Sequence, residues 1–306
     1  MSRPDFCVCI PARNEAERLP ILLDALAAQN VAGVVPVAIC DNNSVDASAT
    51  VIAALAERHR GRLRIAYDGC RLTGDDAVVG VARGRAMDAG AAIAGDAGIL
   101  IATDADCRPP ATWVSTTLAA FARGADVVGG RIELDEAEPV APAIATVRAR
   151  LDRYWAAVRA IEDAIDPQPH DPAPRHGDHT GASLAIRVGL YRHIGGVPRL
   201  ATGEDRALVA AAVAAGGLLV HPHEVWTRTS ARAVGRAPDG MAAAMADLHA
   251  TLARGDQPRV PALDHWRARA AWRRSLRTDP RSVAMLAVHE AALPPMPCDT
   301  PLATAL

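Results

Sequence analysis

Residues 99–106 read Ile99-Leu100-Ile101-Ala102-Thr103-Asp104-Ala105-Asp106, an apolar run that passes directly into a polar turn carrying two carboxylates. A short continuous apolar segment closed by turn residues marks a strand buried on both faces. The same order recurs upstream. Residues 6–10 run into Pro11-Ala12-Arg13-Asn14-Glu15, and residues 34–40 run into Asp41-Asn42-Asn43-Ser44. Residues 63–67 and 126–134 supply two further strand candidates. Helical periodicity fills the gaps. Leu19, Leu22, Leu23 and Leu26 recur at spacings of three and four within 15–28, and helices are expected over 45–59, over 81–94 and from Pro109-Pro110 to Phe121. Strands alternating with helices in this way predict an α/β fold with a largely parallel sheet. Ligands of such sheets bind where loops leave the carboxyl ends of the strands. Three of those loops here carry the polar clusters just quoted.

Beyond residue 134 the alternation lapses. Residues 141–166 read as one long helix, 167–178 as a Pro/His/Asp loop, and 180–194 as mixed signals around Gly181. A helix over 204–215 and a strand-like stretch over 218–229 follow. From residue 233 the chain is helical and Arg-rich, and a Pro-containing tail follows Leu293. The expected boundaries are therefore 1–232 for the α/β domain and 233–306 for a C-terminal helical extension.

Composition narrows the partners. In 306 residues there are 33 basic and 35 acidic side chains, a formal net charge of −2, so nothing favours nucleic acid, whose binding leans on excess Lys and Arg. Aromatic residues make up 3%, too few to supply stacking platforms for single strands. The longest apolar stretch, residues 207–220, is shorter than the ~20 residues a membrane span requires, and no secretory signal is visible. A cytoplasmic protein without a transmembrane segment is the expectation. The cysteines Cys7, Cys9, Cys40, Cys70, Cys107 and Cys298 lack the paired spacing of a zinc site, and Cys7, Cys9 and Cys40 read as reduced core residues.

Two acidic motifs can carry chemistry. Asp104 and Asp106 can present oxygens to a hard divalent cation, which commonly takes one or two protein carboxylates. They can equally cap the helix that follows. Glu204-Asp205 opens a helix, where acidic residues are favoured by the dipole, or it supplies a general base aimed at the open edge of the sheet.

As an ordered set, Pro11-Ala12-Arg13-Asn14-Glu15, Asp41 to Ser44, Asp104-Ala105-Asp106 and Glu204-Asp205 resemble the family 2 glycosyltransferases, whose fold is the nucleotide-sugar-binding arrangement called GT-A. Gly181-Ala182-Ser183 and Gly195-Gly196 match the stretch leading to the acidic pair, so the resemblance spans about residues 7–232. It implies a nucleotide-binding half over 1–134 and an acceptor-binding half over 135–232. It implies that Pro11, Ala12, Arg13, Glu15, Asp41, Asn43 and Ala105 border the nucleotide, with Asp41 accepting a hydrogen bond from the base. Arg83 or Arg85 occupies the place of a basic residue near the nucleotide. Asp104 lies near ribose and metal, and Asp106 binds Mg²⁺ or Mn²⁺ directly. Asp205 is the implied general base, with Glu204 beside it on the acceptor side. The implied reaction moves a sugar from a nucleotide-diphosphate donor to a hydroxyl of a small-molecule, lipid or glycan acceptor, by inverting single displacement.

The Gln-x-x-Arg-Trp motif of processive polysaccharide synthases is absent, and 227–232 (Thr-Arg-Thr-Ser-Ala-Arg) does not replace it. His221 and His223 are candidates for a further metal ligand or for solvated strand-end residues, and His179 for an acceptor contact. In 167–179, His170, His176 and His179 with Asp171 and Asp178 allow a zinc reading, but the interleaved prolines suggest a mobile, solvated lid. Residues 266–277 hold five arginines and no acid, which suits a membrane-surface helix; packing through Ala268, Trp272 and Leu276, on the body or on another copy of the chain, is the alternative. Two rival functions remain. A haloacid-dehalogenase-like phosphohydrolase would use Asp104 as nucleophile but leaves Asp41 and Glu204-Asp205 unexplained, and a non-catalytic nucleotide-sugar binder would need none of the acidic catalysts. A dehydrogenase is disfavoured because the first strand leads into no Gly-rich phosphate turn.

Overall fold

The computed structural model describes residues 5–232 and 240–306. The chain forms two compact units, one built from residues up to Asp135 with Asp178–Ser230, the other from Glu136–Gly177 with Ala231–Leu306. These boundaries differ from those expected at 134 and 232: residues 136–177 cluster with the C-terminal helices and not with the α/β domain. Residues 233–239 of the expected extension lie outside the described residues.

The first unit begins β1 (Phe6–Ala12), α1 (Leu19–Ala27), β2 (Val35–Asn42), α2 (Ser48–Arg58), β3 (Leu63–Cys70), α3 (Val79–Ala94) and β4 (Ile99–Ala102). Helix α1 starts later than its periodicity suggested, because the Glu15 carbonyl accepts from the amides of Arg18 and Leu19 in a turn (2.9 Å each). Then come β5 (Cys107–Arg108), α4 (Trp113–Ala122), β6 (Val127–Gly129) and β7 (Arg131–Leu134). The single strand expected over 126–134 is thus two strands in different sheets. The second unit contributes α5 (Pro142–Ile165), after which the first resumes with β8 (Leu184–Arg187), α6 (Val188–His193), α7 (Glu204–Ala214), β9 (Leu219–Val220) and β10 (Trp226–Thr229). The main sheet has the order β3-β2-β1-β4-β8-β6-β9, and β5-β10-β7 form a small second sheet. Strands β3, β2, β1 and β4 are parallel, whereas β8 runs antiparallel to both β4 and β6. The mixed α/β architecture with a mostly parallel central sheet is the one the apolar runs predicted.

Helix α3 packs its small residues Ala82, Ala86 and Ala91, with Met87, against Cys7, Cys9 and Ala38 of the sheet. A Cβ on Gly90 would stand 2.4 Å from Cys9 Sγ, so the helix reaches the sheet only because that position has no side chain.

In the second unit, Val147, Tyr154 and Val158 of α5 form an apolar stripe at helical spacing. The stripe packs with Leu248 and Leu252 of α8 (Met241–Ala253), Val260 of β11 (Arg259–Val260), Leu263 and Trp266 of α9 (Leu263–Leu276), and Leu302. A helix α10 (Pro280–Ala291) and β12 (Thr300–Pro301), paired with β11, complete the unit. The Tyr154 hydroxyl donates to the Pro261 carbonyl and accepts from Trp266 Nε1, at 2.6 Å each. On the face of α9 expected to pack, Ala268 is exposed and Trp272 and Leu276 are partly buried, whereas Ala270 on another face is fully buried. The acids missing from 266–277 come from α5 and its end. Arg273 pairs with Glu162, and Arg277 Nε donates to Asp166 at 2.7 Å. Glu162 also accepts from Arg159 at 2.7 Å, and Arg175 lies 2.7 Å from Asp163. The stretch 167–177 is anchored at Asp171, which is buried beside Arg175, while its prolines Pro167, Pro169, Pro172 and Pro174 are exposed.

Removing one partner from a buried ion cluster strands the others. Glu162→Ala is expected to lower stability by about 3–5 kcal/mol, read as an earlier urea transition by circular dichroism; an unchanged transition would show that the arginines re-pair at no cost.

Candidate active site

The carboxyl ends of β1, β2 and β4 carry the three polar loops, and β8 with α7 brings the second half of the motifs to the same sheet. Arg83, on α3, is 3% exposed. Its Nη2 donates to Asp104 Oδ1 at 2.8 Å, its Nε to Glu204 Oε1 at 2.9 Å and its Nη1 to the Gly181 carbonyl at 3.0 Å. Burial works against the guanidinium charge, but Asp104 and Glu204 more than offset it and hold the group firmly protonated. Arg85 does not share this place: its Nε pairs with Asp68 at 2.8 Å on a partly exposed surface. Of the two arginines, Arg83 is the one bonded to Asp104 and Glu204.

Gly181 is pinned from both sides. Its carbonyl takes Arg83, and its amide donates to Asp205 Oδ2 at 2.7 Å. A Cβ there would lie 2.3 Å from Arg83 Nη2, so glycine is what admits the guanidinium. The next carbonyl, Ala182, accepts from Thr103 Oγ1 at 2.9 Å, tying β8 to the turn after β4. Glu204 is 4% exposed and committed to Arg83. Asp205 is partly exposed, and its Oδ1 accepts from the Arg206 amide at 2.7 Å. Within the turn after β4, Ala105 is buried, while Asp104 and Asp106 are partly exposed. The Ser230 amide donates to the Asp106 carbonyl at 3.2 Å, which brings the end of β10 to the same turn.

A second cluster forms at β1–β3. Asp41, 4% exposed, accepts from Ser44 Oγ and, at 3.1 Å, from the Tyr67 hydroxyl. Burial and the Asp41 carboxylate push the Tyr67 phenol up, which keeps it a neutral donor. Ser44 Oγ in turn accepts from the Asn14 amide at 2.7 Å, and Asn14 Oδ1 from the Val45 amide at 2.8 Å. Pro11 and Ala12 are buried opposite Cys40 and Asp41 in the β1–β2 register. Glu15 is buried, its amide held by Ser48 Oγ at 2.9 Å, and Arg13 is exposed. The Asn43 side-chain amide brackets the Leu72 backbone, at 2.8 and 2.7 Å, and fixes the exit of β3.

Tyr67 escaped the sequence reading although it is 45% exposed beside Asp41. The parallel register, with Ile39 opposite Tyr67 and Asp41 opposite Gly69, puts Tyr67 on the face of Asp41; the alternation of β3 was the available signal. His179 and His221 meet each other, Nδ1 to Nε2 at 3.2 Å, alongside Gly129.

Residues 7–146 match the family model described as Glycosyl transferase family 2. No curated protein matches the chain by sequence. The structure is similar to that of S. aureus TarS 1-349 in complex with UDP: 15% identity, a TM-score of 0.53, 74% of this chain and 60% of that one. It is also similar to the mannosyltransferase PcManGT from Pyrobaculum calidifontis in complex with GDP-Man and Mn²⁺, with 18% identity, a TM-score of 0.51, 95% of this chain and 81% of that one. The chain thus spans about 60% of the length of TarS 1-349. The fold is that of the GT-A glycosyltransferases. Among the described residues, no helix is long and apolar enough to cross a membrane.

Two glycine substitutions test the packing around Arg83. Overpacking of this kind costs about 1–3 kcal/mol, so Gly181→Ala is expected to lower the melting temperature. Gly84→Ala meets nothing closer than 3.7 Å and is expected to be neutral or stabilising. Equal melting temperatures for the two variants would sink the assignment of Gly181 as the seat of the guanidinium.

Proposed function

We propose that the protein transfers a sugar from a nucleoside-diphosphate donor to an acceptor hydroxyl, with inversion at the anomeric carbon. The observation that carries this reading is the Arg83 clamp, which joins Asp104 at the end of β4 to Glu204 at the start of α7. It supports treating the donor motif and the acidic pair as one site. The similar structures point the same way: TarS is in complex with UDP and PcManGT with GDP-Man and Mn²⁺.

Asp41, with Tyr67 beside it, would border the base, and Pro11, Ala12, Arg13 and Glu15 the nucleoside. Asn43 would support that pocket through its loop. Asp104, Ala105 and Asp106 would meet the ribose and diphosphate. The donor set of the turn after β4 fits a hard cation: two carboxylates one residue apart, both partly exposed, with Arg83 bonded to only one Asp104 oxygen. Asp104 and Asp106 would hold Mg²⁺ or Mn²⁺, and the ion would neutralise charge on the departing diphosphate.

Asp205 would take the proton of the acceptor hydroxyl as its oxygen bonds to the anomeric carbon and the nucleoside diphosphate leaves. Its exposure and its anchor on the Gly181 amide support that role. Glu204 would act through Arg83, keeping the guanidinium in place, so it is a positioning residue here.

Calorimetry with UDP- and GDP-sugars in the presence of Mn²⁺ is expected to show binding, followed by transfer with inverted configuration. Failure of every nucleoside-diphosphate sugar to bind, or a retained configuration, would overturn the reading. Asp205→Asn is expected to keep donor affinity and lose about 10²–10⁴-fold in turnover, the usual contribution of a general base. If the residue only caps α7, the result is instead a stability loss of about 1 kcal/mol with near-normal turnover. Asp106→Ala is expected to weaken metal-dependent donor binding strongly with the melting temperature unchanged; undiminished, chelator-insensitive binding by that variant would rule out the metal assignment.

A further inference from the structure

Cys40 and Cys70 are thirty residues apart in sequence, yet their sulfurs lie 3.6 Å from each other. The β2–β3 register explains the meeting. Cys40 is opposite Asp68, and Cys70 is two residues further along the same face of β3. Asp68 completes a triad: one Sγ from each cysteine and one Asp68 oxygen all lie within 4.8 Å of one another. Sequence spacing could not reveal this group, because adjacent strands brought it together.

We propose that Cys40, Cys70 and Asp68 form a binding site for a thiophilic divalent cation of the Zn²⁺ or Cd²⁺ type, separate from the hard-cation motif at Asp104 and Asp106. The spacing suits it. Two sulfurs each ~2.3 Å from a tetrahedral ion stand roughly 3.8 Å apart, so the pair is nearly at ligand distance before any movement. Asp68 gives Oδ2 to Arg85 at 2.8 Å, and Oδ1 remains to ligate. The charges balance as well. On binding, each thiol gives its proton to solvent; two thiolates and a carboxylate around a dication leave one negative charge, which Arg85 offsets. A water fills the fourth position. Access is available because β3 is the edge strand of the sheet and the Asp68 side chain is 37% exposed. Burial pushes the Cys40 thiol up, so it keeps its proton until an ion with high sulfur affinity displaces it. Mg²⁺ cannot do this, because it is a hard cation that selects oxygen ligands.

The experiment is a titration of the full-length protein with Cd²⁺ alone as probe, under a phosphine reductant and excess Mg²⁺. The thiolate-to-cadmium absorption is followed in a Cys298→Ser background, because Cys298 is exposed. One equivalent of Cd²⁺ is expected to saturate the band and raise the melting temperature. Cys70→Ser is expected to remove the band, and Asp68→Asn, which keeps the size of the side chain at a partly exposed position, to weaken affinity about tenfold or more. A wild-type band that is absent, or needs excess Cd²⁺, would overturn the proposal, as would a band undiminished in Cys70→Ser or an affinity unchanged in Asp68→Asn.

Discussion

A buried arginine that cannot lose its proton must be surrounded by acceptors, and the candidate site is built around that requirement. Arg83 is reached by Asp104, Glu204 and the Gly181 carbonyl, three groups from three separate stretches of chain. Each acceptor also constrains something else. Asp104 belongs to the turn after β4, Glu204 opens α7, and the residue carrying the accepting carbonyl offers its amide to Asp205. A buried ion pair adds little net stability once desolvation is counted. Its effect here is geometric, since losing any one partner leaves an uncompensated charge and so penalises every arrangement but this one.

The second unit uses charge for another end. Glu162, Asp166, Arg159, Arg175, Arg273 and Arg277 form a cluster that joins α5 and its end to α9. The Tyr154–Trp266 pair adds the polar tips that let two large aromatics share a core.

Strands buried on both faces were the most legible part of the sequence. β1, β2 and β4 appear as uninterrupted apolar runs, and the polar clusters that end them stand at the carboxyl edge where a parallel sheet gathers its ligands. Residues whose roles depend on facing were not legible. Arg83 and Arg85 are two positions apart on α3, about 200° around the helix, and only the packed face tells them apart. Asn43 carries a suitable amide in a suitable loop, yet its conformation (φ 57°) turns it toward Leu72. Residues 126–134 read as one strand because nothing in an apolar run shows where it changes sheet; the change falls at Gly130, where a Cβ would collide with Ser183. The Arg-rich segment 266–277 was read without its partners, because the acids that neutralise it lie about a hundred residues earlier on α5.

The sheet order also decides when the site can exist during synthesis. Strand β8, residues 184–187, lies between β4 and β6, although it is made after both. Until the ribosome has passed it, β4 exposes an unpaired edge, β6 has no neighbour, and Arg83 lacks two of its three acceptors. The stretch 7–146 that matches the family model is therefore not by itself a unit of assembly. A nascent chain halted at its end would hold a charged side chain where the finished protein has a closed circuit, and would depend on the tunnel or a chaperone to keep that edge from finding another strand.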